Sequence, residues 1–259
     1  MTKRQSDILA RAFAAAVLLY LFVPVAVTVL FSFTTSPRLS LPVTGLTFEW
    51  YQKAFSNPLF IGALLNSLKL ALLTALVAGT LGASFSFGIV RLRRRARGAL
   101  LTASLLPAVL PALVLGISLA LFFREIGWSQ GLPNAAIGQI LVCLPFVVLT
   151  MNSRLETFDF TTLDAARDLG ASPRQTFRDI TFPLIRPSLM GAILLAMALS
   201  LDEFVVTWFN VGNRQTLPVL IWGLLRRGID PSINALASAV LLALVALVVL
   251  ANRLNRQRL

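Results

Sequence analysis

Residues 161–187 read TTLDAARDLGASPRQTFRDITFPLIRP, a charged stretch lying between two long apolar runs. Thr161 followed three residues later by Asp164 predicts a helix start, and Gly170 supplies a left-handed stop after about two to three turns. Ser172 restarts the helix, with Pro173 at its first position and Gln175 in the second half of a capping box. This second helix is expected to run towards Ile180 and to be broken by Pro183 and Pro187 before the next apolar run. Two short helices on a tight hinge form a compact knuckle of the kind a partner holds in a groove.

Asp164-Ala165-Ala166, three further residues, Gly170, nine further residues, Ile180, one residue and then Phe182-Pro183 make a pattern spaced over some twenty positions. That pattern resembles the EAA loop, 154–187 in this sequence, of permease subunits of binding-protein-dependent ABC importers. Asp164 stands where Glu is commoner and Phe182 where Leu is commoner, both chemically close replacements. A weaker resemblance extends from about residue 46 to the last apolar run. Residues 200–207, SLDEFVVT, together with Leu217-Pro218, are most similar to the second permease subunit of spermidine/putrescine importers.

The resemblance implies an all-α, polytopic fold of six transmembrane helices, the type I ABC importer permease fold, supplying half of a translocation pore. It implies as partners a second permease subunit, two ATP-binding subunits and a periplasmic or extracellular substrate-binding protein. Asp164, Ala165, Ala166, Gly170, Ile180 and Pro183 then belong to the loop that meets the ATPase. ATP and magnesium fall to the ATPase subunits, with no cofactor in this chain. The implied substrate is a polyamine or related small organic cation, the alternative being another small organic solute such as a phosphonate.

Composition independently places the chain in a lipid bilayer. Of its 259 residues 57% are hydrophobic and 13% charged, with a mean hydropathy of +0.80, whereas soluble domains carry about 25% charged residues. Apolar runs fall at about 12–33, 61–90, 100–123, 135–152, 188–208 and 235–251, enough for six spans of about 20 residues each. The first run is too long, and too bulky at Phe31 and Phe33, for a cleaved signal peptide. The expected organisation is a head, first span and outer loop over 1–59, a permease core over 60–252 and a basic tail over 253–259.

A net charge of +12 would point to nucleic acid in a soluble protein, but here its distribution is topological. Six spans put the head, the Arg91–97 cluster, the 154–187 stretch and the tail on one side with sixteen Lys and Arg, against six on the other: Arg38, Lys53, Arg124, Arg214, Arg226 and Arg227. The excess marks the cytoplasm, with both termini inside, and nothing base-reading interleaves the arginines. Trp50, Trp128, Trp208 and Trp222 all fall at or beyond the outer ends of runs, as an aromatic belt does.

Catalytic chemistry has little to work with. The chain has no histidine and a single cysteine, Cys143, inside an apolar run, which excludes histidine triads, HExxH zinc sites and an intrachain disulfide. It also has no Gly-x-x-x-x-Gly-Lys-Ser/Thr, so an ATP-driven process must take its ATP from another subunit.

Small residues recur every fourth position at Ala75, Gly79 and Ala83 and at Ala78, Gly82 and Ser86, a pattern for close approach by other helices, chiefly the chain's own. Pro107, Pro111 and Pro145 lie inside runs, where freed backbone groups need protein or water. Asp202 and Glu203 lie in the fifth run, about fourteen residues or 21 Å of helix from its inner start. An ionised carboxylate facing lipid costs about 2.5–3.5 kcal/mol, so the pair either borders the substrate path or meets another helix, with Lys69 as the candidate counter-ion. The rival to a permease subunit is a stand-alone channel or a secondary carrier, which an inverted repeat would favour.

Overall fold

The computed structural model describes residues 3–36, 43, 45–226 and 231–256. Arg38, Arg227 and Arg258, counted in the charge balance, lie outside them. Apart from turns and connecting loops the described residues are helical, with one isolated bridge between Thr34 and Leu46. Four helical segments among them are long and apolar enough to cross a membrane: Leu9–Ser32, Pro58–Val90, Leu132–Glu156 and Pro173–Asp202.

The chain divides into two compact units, Met1–Ile61 with Ile221–Leu259, and Gly62–Leu220. In the first, α1 (Lys3–Ser32) packs with α13 (Pro231–Arg256), which also meets the short α2 (Glu49–Ser56). Trp50 is buried on α2, where its indole N–H donates to the Thr34 carbonyl at 2.5 Å. Tyr51 shares a hydrogen bond with Ser32 at 2.8 Å, and Phe33, Phe48 and Tyr51 form an aromatic cluster that closes the turn.

The second unit is a bundle built around α3 (Pro58–Val90) and α7 (Leu132–Glu156). The small faces of α3 serve this chain's own packing: a Cβ at Gly79 would lie 2.6 Å from Ile193, and one at Gly82 2.5 Å from Val147. Ala75, Ala78, Cys143, Val147, Met151, Ala192 and Ala196 form the core between α3, α7 and α10 (Phe182–Asp202).

Two apolar runs differ from the sequence expectation. The run expected as one span over 100–123 is three helices, α4 (Arg94–Ser104), α5 (Leu106–Val109) and α6 (Ala112–Glu125). Pro111 forces its predecessor Leu110 into extended backbone at φ −69° and ψ 134°, which ends α5. Arg94, Arg95 and Arg97 are therefore the opening turn of α4 rather than a loop.

Pro183 and Pro187, expected as breaks, leave the helix running. α9 (Pro173–Thr176) passes through a π-turn at Phe177–Thr181 into α10, and the Phe182 N–H reaches back five residues to the Phe177 carbonyl. Pro183 then falls in the first turn of α10, where a missing N–H costs least, and the Thr181 hydroxyl covers the Thr176 carbonyl at 3.2 Å. At its far end α10 stops at Asp202, short of the expected Trp208, and a six-residue helix α11 (Val205–Asn210) follows. α12 (Leu217–Leu225) lies between the fifth and sixth runs.

Candidate functional site

Two places in the second unit carry the residues singled out by sequence. The first is the knuckle formed by α8 (Thr161–Asp168), Gly170 and α9. Asp159, not Thr161, caps α8: its carboxylate accepts from the Thr161 N–H at 3.0 Å and the Thr161 hydroxyl at 2.7 Å. Those bonds hold the Asp159 carboxyl below its ordinary range. Thr161 does not take that role because it is already the first helical residue of α8, inside the flanking position.

α8 ends in a full Schellman motif. Gly170 has φ +85°, the Ala171 N–H bonds to the Ala166 carbonyl at 3.0 Å, and the Gly170 N–H bonds to the Arg167 carbonyl at 2.8 Å. Two residues on, Ser172 and Gln175 form the expected capping box, with bonds of 3.3 Å and 2.9 Å exchanged between side chain and backbone.

The knuckle has a seated face and a free face. Phe158 and Leu163 enter the core beside Ile185, with Phe160 and Ile180 packed against them, and the Arg91 guanidinium lies over the Phe160 ring at 5.9 Å. Arg97 pairs with Glu156 at 2.5 Å and with Asn152 at 3.0 Å, and Arg154 donates to the Leu184 carbonyl at 3.0 Å, tying the end of α7 to α4 and α10. Ala166 is buried. Asp164, Ala165, Gly170 and Pro183 are exposed, and Asp164 meets Arg167 at 3.5 Å in a surface pair worth little by itself. Leu169, missed by sequence reading, stands 89% exposed on the hinge. Its signal was a large apolar residue directly before the stop glycine.

The second place is the α10–α11 break. Glu203 is not paired with Lys69: its carboxylate accepts from the Val206 N–H at 3.0 Å, the Thr207 N–H at 2.9 Å and the Thr207 hydroxyl at 2.8 Å, so it caps α11. Asp202 is exposed and has no hydrogen-bond or ion-pair partner among the described residues. The two acids are thus separated, one turned into the protein and one left free.

Behind Glu203 lies a buried polar group that sequence reading missed, centred on Gln139, which is 1% exposed. Its amide donates to the Thr207 hydroxyl at 2.8 Å and its carbonyl accepts from Thr74 at 3.3 Å and from Ser200. A polar amide in the middle of an apolar run was the available signal. An open groove of about 740 Å³ at the end of α6, lined by Ile117, Leu121, Arg124, Trp128, Gln130 and Phe209 among others, carries Arg124 as its only charge. That cation opposes a cationic solute.

Long apolar helices, one of them ending at a buried polar break, together with a charged helix–turn–helix, make the build of a polytopic membrane subunit. The chain belongs to the family of binding-protein-dependent transport system inner membrane components, whose family model matches residues 75–257. It is accordingly a multi-pass inner-membrane permease subunit of an ABC importer.

Among its relatives, the spermidine/putrescine transport system permease protein PotC of Haemophilus influenzae is 34% identical over 250 residues, covering 96% of this chain and 97% of the relative. The putrescine transport system permease protein PotI of Escherichia coli K12 is 33% identical over 230 residues, covering 86% and 82%. The fold is shared with a bacterial alginate ABC transporter crystallised with an alginate pentasaccharide-bound periplasmic protein, at a TM-score of 0.74, 18% identity and coverage of 98% and 96%.

Proposed function

We propose that this chain is one of two permease subunits of a polyamine importer, taking spermidine, putrescine or a related small organic cation across the inner membrane. The observation that carries the substrate class is end-to-end identity to the polyamine permease of Haemophilus influenzae, 34% over 96% of this chain. The exposed Asp202, a carboxylate with no counter-ion among the described residues, at a helix break inside an apolar run, supports a cationic path.

The knuckle is the coupling element, with Asp164, Ala165, Ala166 and Gly170 presented to an ATPase subunit while Ile180 and Pro183 carry its motion into α10. In this reading two ATP-binding subunits hold ATP and magnesium, a second permease completes the pore and a periplasmic protein delivers the substrate. The six-span topology, one span within 1–59 and five in the core 60–252, with both termini in the cytoplasm, completes the reading, since the arginine excess lies on the knuckle's side.

The test is to purify the chain with its neighbouring subunits, reconstitute the complex and measure ATP-dependent uptake of radiolabelled spermidine and putrescine. Saturable uptake that requires the binding protein supports the substrate class. Uptake of neither, with a different solute retained by the binding protein, rejects it. Cysteines introduced at Ser172 and Ser129 report the topology: an impermeant reagent should label Ser129→Cys from outside the membrane and leave Ser172→Cys untouched.

A further inference from the structure

We propose that Gln139 and Thr207 are positioning residues for transport: through Glu203 they fix the angle of the α10–α11 break, and so set how tightly the substrate is held as it passes. The inference rests on the reading that this break borders the substrate path.

The hydrogen bonds run in one direction. Thr207 has a single hydroxyl proton and gives it to Glu203 at 2.8 Å, so towards Gln139 it can only accept. The Gln139 amide N–H must therefore face Thr207, at 2.8 Å, and its carbonyl must face Thr74 and Ser200, which donate to it. The result is an aligned relay from the hydroxyls of α3 and α10, through the amide of α7, to the hydroxyl of α11 and the carboxylate at the break. Aligned hydrogen bonds polarise one another and hold a sharper geometry than the same contacts made singly.

α11 has only six residues and no stiffness of its own, so its direction is decided by what it touches. A Cβ at Gly138, beside Gln139, would lie 2.5 Å from Val206, and one at Gly116 would lie 3.1 Å from the Val206 Cα. Asn210 closes the far end by donating to the Gly116 carbonyl at 3.0 Å. α6 and α7 thus press on α11 from its flanks, while the relay adds hydrogen bonds that tie its first turn to α3, α7 and α10. Buried polar groups that merely fill space are as well replaced by apolar ones; a fully paired, directional set defines an orientation.

The experiment uses the assembled transporter in proteoliposomes, with radiolabelled spermidine uptake measured per assembled complex. Thr207→Val removes the hydroxyl at nearly constant volume and should raise the uptake KM about tenfold. Thr207→Ser restores the hydroxyl and should return KM to within about twofold of the parent. Gln139→Met interrupts the relay one bond earlier and should act in the same direction as Thr207→Val.

Ser86→Ala is the control for bracing alone. Its hydroxyl is equally buried and links α3 to α7 through the Val148 carbonyl at 3.3 Å, away from the break. It should lower thermal stability and leave KM unchanged. An unchanged KM in Thr207→Val overturns the inference, as does failure of both Thr207→Val and Gln139→Met to assemble, which would make the relay a requirement of folding. If Asp202→Asn transports normally while Thr207→Val does not, the Asp202 reading falls and the relay stands.

Discussion

The knuckle and the α10–α11 break are both places where one helix stops and another starts within a few residues, yet they are built by opposite means. At the knuckle every turning bond is local: Asp159 to Thr161, Ala171 to Ala166, and Ser172 with Gln175. At the break the local cap from Glu203 is itself held by Gln139, 68 residues from Thr207 in sequence. The difference follows from solvent. An exposed turn leaves its spare polar groups to water, so its own residues suffice, whereas a turn inside an apolar bundle must find a protein partner for each polar group its local cap does not cover.

Removing the local half of the buried turn should have the largest effect. Glu203→Ala leaves the Val206 and Thr207 N–H groups and the Thr207 hydroxyl without their acceptor, a loss of about 2–3 kcal/mol. It should appear as a lower melting temperature and a smaller yield of assembled complex in detergent. Stability unchanged in that variant would mean that the long-range contacts alone hold the break.

Next comes the close approach that gives the break its second support. Gly138→Ala places a methyl 2.5 Å from the Val206 side chain and 3.4 Å from Leu119, so α11 must shift, at about 2 kcal/mol. Thermal denaturation should show that loss.

The same contrast explains what the sequence disclosed. Gly170, Ser172, Pro173 and Gln175 act within their own turn, so their spacing was enough to place the hinge. The small faces of α3 and most of the apolar runs were legible because burial acts through composition and period. The continuous helix through Pro183 was not legible, since whether a proline breaks a helix depends on how the preceding turn winds, and the π-turn at Phe177–Thr181 has no composition of its own. The sequence left Glu203 open between the substrate path and a contact with another helix, because its partners, two backbone N–H groups and a hydroxyl, carry no sequence signal. Gln139 became meaningful only once the fold brought Thr74, Ser200 and Thr207 around it.

At the knuckle the matching glycine change tests conformation instead of space. Gly170 has φ +85° and nothing within 4 Å of a Cβ built on it, so Gly170→Val meets no neighbour and is strained only by its left-handed backbone, at about 1 kcal/mol. Global stability should barely move. If the knuckle transmits ATPase motion, substrate-stimulated ATP hydrolysis should fall in the reconstituted complex while membrane insertion persists, and normal stimulated hydrolysis would detach the hinge from coupling.

The smallest effect belongs to Asp159, and its sign is fixed by linkage. Hydrogen bonds from the Thr161 hydroxyl and N–H lower its carboxyl from the ordinary value of 3.8. A carboxyl lowered on folding adds stability that is fully present above its ordinary value and is lost as pH falls through the folded one. Asp159→Asn keeps an acceptor oxygen of the same shape and removes the titration. The difference in melting temperature between parent and Asp159→Asn should therefore be constant above about pH 5 and shrink below about pH 4. Because the group is fully exposed, the difference should also narrow in high salt, where the favourable charge at the α8 N-terminus is screened. A difference that stays level through the acid range would show that α8 starts without help from the carboxylate, and would leave the Schellman turn and the Ser172–Gln175 box as the only local signals shaping the knuckle.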